Sequence, residues 1–304
     1  MKRLIVFTSL MGLLSCSSLI EKKYTSIKKW GYQLQAYRPP YDLERIQKSK
    51  DTLWVIDYSL DGTDSRRFRP DQIELLKSNN NLMISYLSVG EANSFRYYFD
   101  KMPKSLVSER NRDWGSLKIR FWEKEWQDMI LDTSSRWGKG YLERIIEAGF
   151  DGVYLDIVDG FENFPKERKL RAQNMADFIL AISKKGKKSN EHFRVIIQNG
   201  LHILDLIENP DQFLKAIDGV AIESLFFLGN KPIDNDYNPQ KSLYPLIARY
   251  QAAGLKILSV EYLTDQSKID QYFKEARELK IIPLVSSKLL EGALKWPTEQ
   301  TGKE

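Results

Sequence analysis

Six polar residues stand at or just past the ends of short apolar runs in this chain: Asp57, Glu91, Asp156, Asn199, Glu223 and Glu261. Carboxylates gathered on one rim can divide acid–base work without a cofactor. One, kept neutral by a raised pKa, donates a proton while another attacks or activates water. Cleavage of a glycosidic bond is a reaction that such a pair can run. Other chemistries lack their parts. The two histidines, His192 and His202, end no apolar run, and the single cysteine is Cys16, so a zinc site is not expected. No glycine-rich phosphate loop follows an apolar run and Gly-x-Ser-x-Gly is missing, which argues against nucleotide binding and a serine hydrolase. No cofactor is therefore expected. Taken singly, each acid has an ordinary alternative, the capping of the helix that follows it.

Bringing these residues together is the task of eight apolar runs, at 30–35, 53–57, 82–89, 152–156, 195–199, 219–223, 256–261 and 281–285. Helical patterns fall between them, at 41–50, 70–78, 122–148, 166–185, 201–216, 240–253 and 266–279. Alternating strands and helices imply a parallel sheet, and eight such units imply a single-domain (β/α)8 TIM barrel, whose chemistry sits at the C-terminal strand ends. In Gly152–Asp156, Val153 and Leu155 lie opposite Tyr154 and Asp156; in Gly219–Glu223, Val220 and Ile222 lie opposite Ala221 and Glu223. If the aliphatic faces meet the helices, Asp156 and Glu223 point into one space. Asp151 and Asp218 precede their strands and belong to the other end of the barrel, as structural residues.

The connection from 91 to 149 is the longest and holds Phe95-Arg96-Tyr97-Tyr98-Phe99, Trp114 and a possible extra strand at 116–121. Long insertions at the top of a barrel commonly build a binding cleft, and aromatic rings there suit the C–H faces of sugars. The same rings could instead form a satellite core, which is the reading favoured for Trp122 and Trp126, spaced i to i+4.

With 304 residues, 42% of them apolar, the chain can bury one large core, and a net charge of +5 spread along it gives little support to nucleic-acid binding. Met1-Lys2-Arg3 and the apolar stretch 4–14 read as a secretory signal over residues 1–15, too short to span a bilayer. Leu13-Leu14-Ser15-Cys16 resembles the bacterial lipoprotein box, making Cys16 the expected lipidation site and a membrane the expected partner; an ordinary signal peptide is the alternative. Residues 16–29 then read as a polar tether, 30–288 as the barrel and 289–304 as a tail, in an exported monomer.

Four segments carry a family resemblance: Gly-Phe-Asp-Gly-Val-Tyr-Leu-Asp-Ile-Val-Asp-Gly at 149–160, Ile-Asp-Gly-Val-Ala-Ile-Glu-Ser-Leu-Phe at 217–226, Ser-Tyr-Leu-Ser-Val-Gly-Glu-Ala at 85–92 and Val-Ile-Asp-Tyr-Ser-Leu-Asp-Gly at 55–62. In their order along the chain, each at a strand end, they resemble glycoside hydrolase family 114, typified by endo-α-1,4-polygalactosaminidases. The resemblance implies Asp156 as nucleophile of a retaining mechanism and Glu223 as acid/base. It also implies Asp159, Tyr86, Glu91 and Asp57 as substrate-binding residues. Together with Asn199 and Glu261 they would suit a polysaccharide of cationic amino sugars, whose ammonium groups pair with carboxylates. After Glu223 the chain reads Ser224-Leu225-Phe226-Phe227, where characterised members carry a further acid and a cysteine. Two other functions use the same features: a carbohydrate-binding barrel that does not cut, and a surface lipoprotein whose barrel is a scaffold for protein contacts.

Overall fold

A computed structural model describes residues 21, 23–35, 37–38, 41–131 and 138–297. Its framework alternates strand and helix: β1 (Lys29–Gln33), α1 (Tyr41–Lys48), β2 (Thr52–Ile56), α2 (Pro70–Leu76) and β3 (Leu82–Ser88). The long connection then holds β4 (Glu91–Ala92), β5 (Val107–Arg110), β6 (Leu117–Ile119), α3 (Lys124–Leu131) and α4 (Tyr141–Glu147). The barrel resumes with β7 (Gly152–Asp156), α5 (Arg168–Ser189), β8 (Arg194–Gln198), α6 (Pro210–Ala216) and β9 (Gly219–Glu223). It ends with α7 (Tyr244–Ala252), β10 (Lys256–Glu261), α8 (Gln266–Glu278) and β11 (Ile282–Val285).

Eight parallel strands run in the order β1-β2-β3-β7-β8-β9-β10-β11, and β4-β6-β5 form a separate antiparallel sheet. Between β1 and β11 the barrel is drawn together by the Trp30 indole N–H, which donates to the Ile282 carbonyl at 3.0 Å, and by Leu34 N–H to the Leu290 carbonyl at 2.9 Å. The (β/α)8 architecture is thus the observed one.

Alternation within each strand sorts the side chains. Val153, Leu155, Val220 and Ile222 join the large cluster under the helices, whereas Tyr154, Ala221, Leu258 and Val260 fill the barrel. Trp30, Tyr32 and Tyr154 stack on one another inside it, with ring centroids 5.1 to 6.3 Å apart. Each such buried ring contributes on the order of 2 kcal/mol of apolar transfer energy and closes the barrel beneath its mouth.

Three expectations are corrected. The helical pattern at 122–148 resolves into α3 and α4, with Gly138 and Gly140 before the second, since glycine disfavours helix interiors. The pattern at 201–216 is a 3-10 turn, Leu201–Asp205, followed by α6, which begins at Pro210 with the Asn209 side chain accepting from the Gln212 N–H. Residues 24–29 are docked and not a tether, and the tail packs on the barrel over 289–297. Tyr24 and Ile27 are buried in the barrel cluster, Lys295 pairs with Val285, and the Trp296 indole donates to the Trp30 carbonyl at 2.5 Å. Apolar side chains interspersed among the lysines drive that packing. The leader, Cys16 and residues 298–304 lie outside the described residues.

The floor is held by the two acids placed there from the sequence. Asp151 accepts from Met83 N–H and Asp218 from Val195 N–H, each fastening neighbouring strands. Arg194 bridges Asp218 at 3.0 Å and Glu21 at 2.5 Å, and its guanidinium lies over the Tyr24 ring.

Candidate active site

At the opposite end the strands open into a cavity of about 790 Å³ whose walls include Asp57, Tyr86, Glu91, Asp156, Asp159, Asn199 and Glu223. Parity explains the placement: on β7 the inward residues are Gly152, Tyr154 and Asp156, and on β9 they are Gly219, Ala221 and Glu223. Three consecutive strands also end in left-handed turns, at Ile157 (φ 61°), Asn199 (φ 56°) and Ser224 (φ 51°). For a β-branched residue such as Ile157 this conformation costs on the order of 1–3 kcal/mol, strain of a kind that clusters at functional sites. Gly90 makes room for it, because a side chain there would meet Ile157 Cγ2 at 2.5 Å.

Asp156 accepts the Tyr86 hydroxyl at 2.6 Å and the Ile157 N–H at 2.8 Å. Burial, and then the charge of Glu223, push its carboxyl up to about 7 against those two donors. Glu223 accepts the Tyr262 hydroxyl, and its own N–H donates to Asn199 Oδ1 at 3.1 Å. Burial raises its pKa, opposed by Tyr262, by the Gln198 side chain, by the charge of Lys288 and by Asn199. Among the described residues neither carboxylate has an ion pair. Asp159, half-buried, is pushed up to about 6 by burial, with Glu162 and Glu223 adding to it. Near neutral pH, Asp156 is therefore close to its own midpoint, with the charge of Glu223 contributing to that rise.

Three of the expected binding residues are otherwise engaged. Asp57 does reach the mouth, but both its oxygens accept from Arg96, at 2.9 and 2.5 Å, with each side chain 4% exposed. Arg96 is itself packed among the rings of Tyr58, Phe95 and Tyr141. Glu91 accepts from Asn111 Nδ2 at 3.0 Å and Ser116 Oγ at 2.5 Å. Glu261 does not line the cavity: its Oε1 accepts the Phe226 N–H at 2.7 Å, and it braces the chain after β9. Burial pushes it up to about 8, against the backbone N–H groups of Phe226, Phe227 and Leu225. Its parity is the reason, since Leu258 and Val260 take the inward positions of β10 and Tyr262 the next.

Sequence reasoning missed Tyr262 and Gln198. Inward parity counted from Leu258 and from Ile196 would have found both. Tyr32 was also missed; it lines the cavity and donates to Gln198 Oε1 at 3.2 Å. The aromatic insertion divides, with Tyr98 and Trp126 buried in a core and Phe95 and Trp114 exposed on the cavity wall. Trp122 stands before α3, half-buried against Phe164, with the Arg171 guanidinium over its ring.

The model of glycoside hydrolase family GH114 matches residues 18–302. The chain belongs to glycoside hydrolase family GH114. It is accordingly a glycosidase, and the matched span takes in the floor segment as well as the barrel. An uncharacterised protein of Thermotoga maritima is 30% identical over 94% of this chain and 90% of its own length. Another, from Methanocaldococcus jannaschii, is 33% identical over 85% and 73%. Among solved structures, the glycoside hydrolase domain of PelA from Pseudomonas aeruginosa superposes with a TM-score of 0.67 at 19% identity, covering 88% of this chain and 97% of that domain. Aspergillus fumigatus Ega3 in complex with galactosamine gives 0.67 at 16% identity, over 90% and 96%. At those identities the two structures speak for the fold.

Proposed function

We propose that this GH114 member is an exported, endo-acting glycosidase that cuts a polysaccharide of galactosamine type, with Asp156 as nucleophile and Glu223 as acid/base. The observation that carries the reading is the pair itself: two inward carboxylates in one mouth, both raised by burial, neither ion-paired among the described residues. In the first step Asp156 attacks the anomeric carbon, the glycosidic C–O bond breaks, and Glu223 gives its proton to the leaving oxygen. In the second, Glu223 takes a proton from water, whose oxygen displaces Asp156 from the sugar. Tyr86 and Ile157 N–H orient the attacking carboxylate and favour its charge, and Tyr262 does the same for the returning Glu223. An amino sugar brings a cation into this acidic mouth, where Asp159 stands free of ion pairs among the described residues. The galactosamine held by Ega3 supports that choice of sugar.

Incubating the protein with galactosamine- and N-acetylgalactosamine-containing polysaccharides is expected to release oligosaccharides. In Glu223→Gln the rate should fall by about a thousandfold or more. Full activity in that variant, or no release from any of the polymers, overturns the reading. Export completes it: residues 1–15 as leader and Cys16 as the lipidated residue, leaving the enzyme as a monomer on the cell envelope. Palmitate labelling in a bacterial host, lost in Cys16→Ala, is the expected result, and an unlabelled wild-type chain removes the anchor.

A further inference from the structure

The loop between β5 and β6 is fixed to the active-site wall through one carboxylate. Asn111 Nδ2 and Ser116 Oγ, the two ends of the loop, take one oxygen each of Glu91. The loop is also closed on itself: Asn111 N–H donates to the Ser116 carbonyl at 2.9 Å, Gly115 N–H to the Asn111 carbonyl at 2.9 Å, and Asn111 Oδ1 accepts Asp113 N–H at 3.1 Å. At its tip stands Trp114, 55% exposed, lining the same cavity as Asp156 and Glu223. A large indole left in water on a rigidly tied loop, beside a glycosidase site, is an apolar face without a cover.

We infer that Trp114 is a stacking platform for a pyranose ring of the bound glycan, away from the bond being cut, and that Glu91 is the residue that positions it and not a ligand of the sugar. The inference rests on the proposed glycan substrate and extends it to a second sugar position. C–H bonds of a pyranose face pack on an indole, and a protonated amine on the ring adds attraction to the π-face. Phe95, 47% exposed and packed across Gly62, is a second exposed ring lining the same cavity. Such a platform holds a chain and leaves a short substrate unaffected.

Binding and turnover of a long oligogalactosamine and a galactosamine disaccharide, with the neutral N-acetylated oligomer as a third probe, separate the possibilities in the intact protein. Trp114→Ala is expected to weaken binding of the long oligomer, and raise its KM, about tenfold, with kcat and disaccharide turnover unchanged; Trp114→Phe restores part of the loss. Glu91→Ala should reproduce the Trp114→Ala defect. Glu91→Gln should bind nearly as wild type, because its amide can accept from Asn111 and donate to the Ser116 hydroxyl. If Glu91 instead pairs with an ammonium group, Glu91→Gln fails as badly as Glu91→Ala, and that result overturns its positioning role. An unchanged KM for the long oligomer in Trp114→Ala overturns the platform while leaving the glycosidase reading intact. If wild type cuts no galactosamine oligomer but binds the neutral one through Trp114, the galactosamine reading falls and the platform stands. Binding of none of the probes overturns both.

Discussion

On the β2–β4 side of the mouth, Asp57 gives both oxygens to Arg96 and Glu91 gives both of its own to Asn111 and Ser116. On the β7–β9 side, Asp156 and Glu223 accept from tyrosine hydroxyls, a backbone N–H and neutral amide side chains, and burial raises both. Both halves present acids at strand ends in the same cavity. What separates them is the partner. A full ion pair fixes a carboxylate as a charged strut, and a clamp on both oxygens fixes it as an anchor. A few neutral donors hold a carboxylate in place yet leave its proton exchangeable, which is what acid–base chemistry requires.

The comparison breaks first at the reacting half. Asp156→Asn is expected to lower kcat by about a thousandfold or more while leaving the melting temperature near wild type, by assay and thermal unfolding of the same preparation. A variant that lost stability and kept turnover would place Asp156 with the struts. On the other half the effect is on folding. Arg96→Leu leaves Asp57 buried and unpaired and should cost about 3–5 kcal/mol in denaturant unfolding, part of which Asp57→Asn in the same chain restores. Stability unchanged by Arg96→Leu would mean that the pair is not a strut.

The finest test is the pH profile. Asp156 loses its proton near pH 7 and must be ionised to attack, so kcat/KM should rise as pH rises through about 7. Tyr86 favours the ionised form of Asp156. In Tyr86→Phe the proton is held more tightly and the acidic limb moves to higher pH. A limb that stays in place would remove Tyr86 from the control of that charge.

The eight strands were legible because each packs helices on one side and barrel contents on the other, an alternation that Val153 against Tyr154 displays within two residues. Asp156 and Glu223 followed from it directly. Glu261 did not, because Ile257, Ser259 and Glu261 on one face of β10 and Leu258 and Val260 on the other are both plausible interiors. Only the barrel contents place the aliphatic pair inward, with Tyr262 at the mouth. The fate of Asp57 was hidden for a different reason. Its partner Arg96 lies 39 residues on, in an insertion whose path no local pattern specifies. Likewise the lysines of residues 21–29 suggested solvent, while Tyr24 and Ile27 between them marked a docked segment.

That docked segment also gives the molecule an orientation. Glu21 and Tyr24 lie beneath the barrel, where Tyr24 meets the Asp218 carbonyl and Glu21 meets Arg194, while the cavity opens at the far end of five-residue strands, about 15–20 Å above. The Glu21–Arg194–Asp218 bridge therefore lies at the end of the barrel opposite the cavity. A glycan entering the mouth meets neither that bridge nor the docked segment.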